Sequence, residues 1–188
     1  MAAIEALSLA SSPDAGRLYD ELLVTLVQTG DRRAGERLAI RWQPRLARTA
    51  RRLLGDDEAA LVAVQETWLS ILRNIAGLRD PSRFAPWAFG ILRRRCADRI
   101  RQIQADRTRR GESEDEPALP AAADDALAIR QAFSALPGDQ RLAAQLFFVE
   151  GLTLAEIAEV QEVPPGTAKT RLFHARRKLK AALSGDET

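Results

Sequence analysis

The chain has 188 residues, with 28 lysines and arginines against 26 acidic residues, and a formal net charge of +2 at pH 7. Its single cysteine excludes a disulfide framework within the chain, and one histidine with one cysteine cannot supply the ligand set of a structural zinc site. No run approaches the roughly 20 apolar residues of a membrane helix, and the N-terminus lacks the basic start of a signal peptide. We therefore expect a cytoplasmic chain without a membrane span, cofactor or metal.

Apolar residues recur at helical spacing through the first half of the chain, and strand-like alternation is absent throughout. Residues 1–15 are expected to form a flexible N-terminus. The predicted helices cover about 16–28, 33–54, 57–75 and 84–101. Pro44, inside the second helix, predicts a kink or a break there.

The third predicted helix carries an apolar stripe with one polar residue inside it. The stripe consists of Leu61, Val64, Trp68, Leu72 and Ile75. Gln65 falls within this stripe by helical angle. Because a buried amide needs a hydrogen-bonding partner, Gln65 either is satisfied by a neighbour, or half-exposed, or faces a binding partner.

The fourth predicted helix has a basic surface beside aromatic residues. The arginines are Arg93, Arg94, Arg95, Arg99 and Arg101, opposed only by Asp98. Arginines next to aromatic rings suit single-stranded nucleic acid, whose bases stack while its phosphates pair with cations. The alternative is that Phe84 and Trp87 are simply core residues, and we favour this for both. The arginines and the preceding loop then remain as the contact surface.

Composition changes sharply after the fourth helix. Residues 102–125 combine many charges, two prolines and an alanine run with few large apolar residues. Such a segment cannot bury enough surface to fold alone, so we expect a flexible linker. A second helical unit follows over about 126–184.

The C-terminal unit has the pattern of a helix-turn-helix. Thr153 and Glu156 are spaced as a capping box at the start of a short helix, and Pro165 suits the first turn of the next one. No acidic residue occurs between Gly166 and Ser184. A solvated amphipathic helix is the alternative, but solvated faces usually mix charges of both signs. The pattern favours a recognition helix placed in the DNA major groove.

At this point several strings resemble one family. FAPWAFGILRRRCADRIR, VQETWLSIL, LPGDQR and EGLTLAEIAEVQEVPPGTAKTRLFHARRKL occur in the order and at the spacing of an extracytoplasmic-function sigma factor of the sigma-70 family of bacterial RNA polymerase. The resemblance implies an all-α protein in which two small helical domains, 16–101 and 126–184, are joined by the linker. It also implies a transcription-initiation subunit rather than an enzyme.

The resemblance implies three contact surfaces and four partners. Docking on core RNA polymerase is expected of Gln65, Glu66, Leu69 and Arg73. Contact with the opened −10 strand is expected of Arg83, Arg93, Arg94, Arg95, Arg99 and Arg101. Contact with the −35 duplex is expected of Pro165, Thr167, Lys169, Thr170, Arg171, His174, Arg176 and Arg177. The implied partners are core RNA polymerase, duplex −35 and single-stranded −10 promoter DNA, and an anti-sigma factor.

The chain departs from the family pattern at several positions. Leu61 and Val62 stand where an acidic pair is usual, which implies an altered polymerase contact. Arg94 replaces an asparagine in the −10 helix, and Gly35 replaces a phenylalanine in the second helix. Glu162 replaces the glycine of the C-terminal turn, so the turn is expected to place a non-glycine residue at positive φ.

Two other function classes are weighed against this interpretation. A stand-alone helix-turn-helix regulator explains the C-terminal unit but leaves the N-terminal helices without a role. An enzyme is disfavoured, because the sequence contains no paired His/Asp/Ser constellation, metal-ligand spacing or phosphate-binding glycine loop.

Overall fold

The computed structural model describes residues 13–110 and 124–184, and in these residues the chain is helical with short turns and no strand. The helices are α1 (Pro13–Gln28), α2 (Arg32–Leu54), α3 (Asp57–Asn74), α4 (Phe84–Arg110), α5 (Asp124–Ser134), α6 (Gly138–Ala144), α7 (Leu154–Gln161) and α8 (Pro165–Ser184). Two 3-10 turns, Ile75–Gly77 and Pro81–Arg83, connect α3 to α4, and a π turn, Gln145–Val149, follows α6. None of the described helices combines the length and apolar character needed to cross a membrane. The all-α prediction is confirmed.

Aspartate caps and a left-handed glycine define the helix ends of the N-terminal domain. The Asp31 carboxylate accepts a hydrogen bond from the Ala34 backbone N–H at 3.1 Å, and Asp56 accepts one from Ala59 at 2.6 Å. Gly55 closes α2 at φ 68°, a conformation that costs glycine little. These signals lie in the sequence, and the predicted starts of α2 and α3 agree with them to within one residue.

An aromatic cluster forms the centre of this domain. The fully buried Trp42 ring meets Phe84 edge to face at 4.9 Å and Phe89 at 5.6 Å. Pro44 does not break the helix, because α2 continues through it from Arg32 to Leu54. Of the two predicted outcomes, kink or break, the break was therefore wrong. Trp42 and Leu46, buried on either side of the proline, hold this part of α2 against the core and offset the cost of about 3 kcal/mol that proline imposes on a helix interior.

The buried face of α3 is rotated from the predicted stripe. The helix packs through Ala59, Ala60, Ala63, Val64, Thr67 and Ile71. Leu61 and Leu72 are 53% and 63% exposed, so the expectation that they line the core was wrong. Alanines on one face let α3 approach α2 and α4 closely, and the larger leucines point away from the core. Gln65 is exposed, as a residue facing a partner requires.

The helical segments reach further than predicted on both sides of the linker. α4 continues to Arg110 instead of ending near residue 101, and α5 begins at Asp124. Residues 102–110 contain strong helix formers, and ion pairs one turn apart, such as Asp106–Arg109 at 3.4 Å, stabilise them. The rest of the predicted linker, 111–123, and residues 1–12 of the predicted flexible N-terminus lie outside the described residues.

The C-terminal helices follow the expected helix-turn-helix order. Thr153 and Glu156 form the predicted capping box at the start of α7. Glu162 ends α7 at φ 54°, so the predicted positive φ at this non-glycine turn residue is confirmed. α8 starts at Pro165 and buries Ala168, Ala175 and Leu179.

The two domains pack against each other along one continuous core. Leu142, Leu146, Ile157 and Val160 of the C-terminal domain belong to the same buried cluster as Trp42, Phe84 and Leu92 of the N-terminal domain. α7 lies against α4, and α6 lies against α2. This contact was not predictable from the sequence, since the linker predicted there is compatible with any arrangement of the domains.

Candidate nucleic-acid interface

The outer side of α8 presents the basic and hydroxyl residues predicted for duplex DNA. Pro165, Thr167, Lys169, Thr170, Arg176 and Arg177 are all exposed. Ala168 and Ala175 on the opposite side are fully buried, so the helix is fixed while its basic side faces solvent. This is the geometry that a recognition helix needs to contact phosphates and base edges.

Two of the predicted α8 residues are held by neighbours. Arg171 is partly buried, and its guanidinium pairs with Asp139 at 2.6 Å and donates to the Gln161 side chain at 3.1 Å. His174 is partly buried with its ring against Phe173 at 5.5 Å. Arg171 is therefore oriented from α6 and α7, whereas Arg176 and Arg177 project freely into solvent.

A polar cavity of about 640 Å³ lies between the end of α3, the following loop and α4. Its lining residues are Ser70, Asn74, Gly77, Leu78, Arg79, Trp87, Ile91, Arg94, Arg95 and Asp98. Arg95 is fixed within it, because its Nη2 donates to Ser70 Oγ at 2.8 Å. A partly exposed indole beside guanidinium groups offers a stacking surface together with hydrogen-bond donors, which suits an unstacked base.

Only part of this cavity was predictable from the sequence. Arg94 and Arg95 were predicted, but Ser70, Asn74 and Asp98 were not assigned to a site. Phe84 is core, as favoured, while Trp87 is only partly buried and lines the cavity. Ser70 and Asn74 lie one turn apart near the end of α3. Two polar residues at this spacing, close in sequence to the arginines of α4, were the signal by which they could have been assigned to the site.

The remaining −10 candidates do not gather in the cavity. Arg99 donates to Gln102 at 2.9 Å, and Arg101 pairs with Asp98 on its own helix. Arg83 and Arg93 turn toward the C-terminal domain, and Arg94 contacts that domain as well as lining the cavity. There Arg83 pairs with Glu159, while Arg93 and Arg94 pair with Glu162 at 2.6 and 2.9 Å.

The predicted docking residues lie on the outward side of α3. Gln65, Leu69 and Arg73 are exposed, and Glu66 is partly buried. Leu61 and Leu72 are also exposed on this helix. The surface is therefore more apolar than the four predicted docking residues alone would make it. An apolar groove of about 430 Å³ adjoins it, lined in part by Val27, Gly35, Ile40, Trp68, Leu72 and Ile75.

Both halves of the molecule match family models. The model described as "Sigma-70 region 2" matches residues 38–106, and "Sigma-70, region 4" matches residues 126–179. The chain belongs to the sigma-70 family. It is an extracytoplasmic-function sigma factor, and its family comprises DNA-binding transcription initiation factors. The first match covers α2 to α4 with the cavity, and the second covers the helix-turn-helix.

Relatives and solved structures agree with this assignment. The chain is 28% identical over 179 residues to the ECF RNA polymerase sigma-E factor of Escherichia coli K12, covering 87% of this chain and 93% of that one. It is 29% identical over 184 residues to the RNA polymerase sigma-H factor of Pseudomonas aeruginosa PAO1, with the same coverage of 87% and 93%. Two solved structures, each 24% identical, have the same fold. CnrH in complex with the cytosolic domain of CnrY gives a TM-score of 0.68 over 90% of this chain and 99% of that chain. RpoE in complex with the anti-sigma factor NepR from Bartonella quintana gives 0.71 over 81% and 98%.

Proposed function

We propose that this sigma factor binds core RNA polymerase and directs transcription initiation by reading −35 and −10 promoter elements. The single observation that carries the proposal is the presence of sigma-70 regions 2 and 4, in that order, on one chain. A stand-alone regulator needs only the second region. The polymerase supplies the catalysis, and this chain selects the start site.

We assign the −35 duplex to α8. Its exposed basic side carries no acid over the described part of the helix, so phosphate contacts there are unopposed. Thr167, Lys169 and Thr170 lie on the first turns, nearest to base edges when a recognition helix enters the groove by its N-terminal end. Arg176 and Arg177, further along, are placed for phosphates.

We assign the −10 strand to the cavity and to the arginines around it. Unstacking a base costs a few kcal/mol, which stacking on Trp87 and hydrogen bonds from Arg94 and Arg95 offset. Asn74 and Asp98 bring acceptors into the same cavity, so a captured base meets both donors and acceptors. These polar groups are the candidates for choosing which base is held.

We assign polymerase docking to the exposed side of α3, through Gln65, Glu66, Leu69 and Arg73. Leu61, which with Val62 stands where an acidic pair is usual, and Leu72 are both exposed and make this surface partly apolar. We also propose that an anti-sigma factor binds this protein, because RpoE, which has the same fold, is bound to the anti-sigma factor NepR in its solved structure.

The test is a binding experiment followed by transcription. Purified full-length chain is mixed with bacterial core RNA polymerase, and the complex transcribes a fragmented genomic library. The proposal expects stable core binding and new site-specific transcripts, whose start sites yield the −35 and −10 sequences. Absence of core binding, with sequence-specific duplex binding by the chain alone, would overturn it in favour of a stand-alone regulator.

A further inference from the structure

The domain interface is lined by a row of glutamates from the C-terminal domain, each paired with arginine from the N-terminal domain. We call Glu150, Glu156, Glu159 and Glu162 the acidic face. They pair respectively with Arg45 and Arg48, with Arg17, with Arg83, and with Arg93 and Arg94. In these ion pairs every acid comes from the C-terminal domain and every arginine from the N-terminal domain.

Glu150 anchors this interface. Its side chain is only 1% exposed, and its carboxylate accepts from Arg45 Nε at 2.9 Å and from Arg48 Nη2 at 3.2 Å. Gln145 donates to the same carboxylate at 3.2 Å, and Thr49 donates to it at 3.4 Å. A buried carboxylate with this many donors is fully satisfied, so this pairing is a built contact rather than a chance encounter of surface charges.

Glu159 and Glu162 form ion pairs with arginines to which we assign the −10 strand. Arg83 precedes α4, and Arg93 and Arg94 lie along it, and all three guanidinium groups are paired with carboxylates of α7 or of the turn after it. Arg94 also lines the cavity assigned to the unstacked base. A carboxylate and a backbone phosphate each carry one negative charge and offer two acceptor oxygens to a guanidinium group, so they compete for it.

The position of Glu162 argues that this pairing is specific to the chain. Its φ of 54° is one that residues other than glycine rarely adopt, and it is the one non-glycine residue at positive φ among the described residues. Backbone strain of this kind persists where the surrounding structure over-determines it and often accompanies function. Glycine would fit the turn without strain but would leave Arg93 and Arg94 unpaired.

We propose that the C-terminal domain is an intramolecular competitor of the −10 strand: in the closed form seen here, Glu159 and Glu162 occupy Arg83, Arg93 and Arg94, and the domains must separate before single-stranded DNA binds there. This inference rests on the proposed −10 function of those arginines. The apparent affinity for single-stranded DNA then equals the intrinsic affinity multiplied by the fraction of molecules that are open.

The test compares full-length chains that carry paired neutral substitutions. Glu159→Gln with Glu162→Gln removes two acids at the interface. Glu36→Gln with Glu58→Gln removes two exposed acids of the N-terminal domain that form none of these interdomain pairs, and it controls for the change in net charge. A third variant, Glu162→Gly, removes the carboxylate while relieving the positive φ, so it keeps the fold.

Two readouts are needed. Binding of a short fluorescein-labelled single-stranded DNA of random sequence reports access to the arginines. Energy transfer between dyes on Arg33→Cys and Lys180→Cys, both exposed positions, reports domain separation. Cys96 does not interfere with labelling, because its thiol is buried and burial raises its pKa to about 12.

We expect the interface variant to show greater dye separation and about 3- to 10-fold tighter DNA binding than the control pair, a range that three partly exposed ion pairs support. Glu162→Gly should shift both readouts in the same direction. Unchanged dye separation in both interface variants would overturn the closed form as a state held by these pairs. Greater separation with DNA affinity equal to the control would overturn the competition, and it would count against the −10 assignment of the arginines while leaving polymerase docking and −35 binding untouched.

Discussion

Arg94 and Glu162 stand 68 positions apart in the chain, and their side chains meet at 2.9 Å across the interface of the two domains. Both positions depart from the pattern of the sigma-70 family, which has an asparagine and a glycine there. The two departures therefore form one contact. An arginine that we propose to contact the −10 strand and a glutamate held at positive φ therefore form a single interdomain ion pair.

The closed form should loosen in acid. Hydrogen bonds from Arg93, then from Arg94, hold the pKa of Glu162 below its usual value. Burial raises the pKa of Glu156, but hydrogen bonds from Thr153 and then from Arg17 outweigh it, and the net pKa is lowered. Thr153 belongs to the same capping box as Glu156, so only the contribution of Arg17 is lost when the domains separate. Carboxylates with a lower pKa in the closed form stabilise it above their ordinary pKa of about 4.3, and that stability is lost as pH falls through the lowered values. Energy transfer between the domain labels should therefore decrease as pH falls below about 4.

The matched variant for this titration is Glu162→Gln, whose side chain has no carboxylate to take up a proton. It should be more open than the parent at neutral pH and should change less on acidification. Far-ultraviolet circular dichroism at each pH separates domain opening from unfolding, because opening leaves the helix signal intact. A parent and a variant that respond identically to acid would show that Glu162 contributes nothing to closure.

The sequence predicted the fold well where the signals are local. Helix α3 starts beside its Asp56 cap, α7 starts at the Thr153–Glu156 capping box, and α8 starts at Pro165, each as expected. Such signals depend on backbone groups within four residues, so no tertiary information is needed. The left-handed conformation of Glu162 was also predictable, because the turn geometry is fixed by the family pattern.

Prediction failed where a distant part of the chain decides the outcome. The periodicity of α3 placed Leu61 and Leu72 in the core, but two neighbouring helices approach through its alanines instead. The arginines of α2 give no indication in the sequence of what they contact, yet Arg45 and Arg48 pair with Glu150 of the other domain. Local pattern shows that a face is apolar or charged and cannot show which element covers it.

Replacing Gly35 with alanine should stabilise the N-terminal domain. Gly35 lies inside α2, where a Cβ atom would meet Val27 Cγ2 at 3.8 Å, an ordinary van der Waals distance. Alanine in a helix interior is favoured over glycine by about 0.5–1 kcal/mol, so the free energy of unfolding in urea should rise by that amount. Gly30→Ala is the contrasting variant, since φ at this position is 92° and a side chain there is strained. It should lower stability, and a loss in both variants would mean that the groove beside Gly35 cannot accept a methyl group.

Replacing Gln65 with alanine should weaken binding to core RNA polymerase without affecting the fold. The side chain is exposed on α3 and has no role in the described core, so thermal unfolding should not change. Gln104→Ala is the matched control, because Gln104 is an exposed glutamine inside a helix, away from the proposed docking surface. Titration of labelled core polymerase should give a weaker Kd for Gln65→Ala alone. Equal affinities of the two variants would remove Gln65 from the docking surface.

Replacing Arg176 with alanine should weaken binding to −35 duplex DNA and reduce its dependence on salt. Each phosphate contact contributes a slope of about −0.9 to the plot of log Kobs against log salt concentration, so the loss of one contact should lower the slope by about one. Arg171→Ala should weaken binding with a smaller change in slope, because Asp139 already neutralises this guanidinium at 2.6 Å. What this variant loses is mainly a hydrogen-bond donor that Gln161 holds in a fixed orientation. Lys180→Ala, which removes an exposed charge further along the same helix, controls for the general effect of net charge. A slope that is unchanged in Arg176→Ala would place the duplex elsewhere on the domain, because α8 cannot bind phosphates along its exposed side without Arg176 lying close to them.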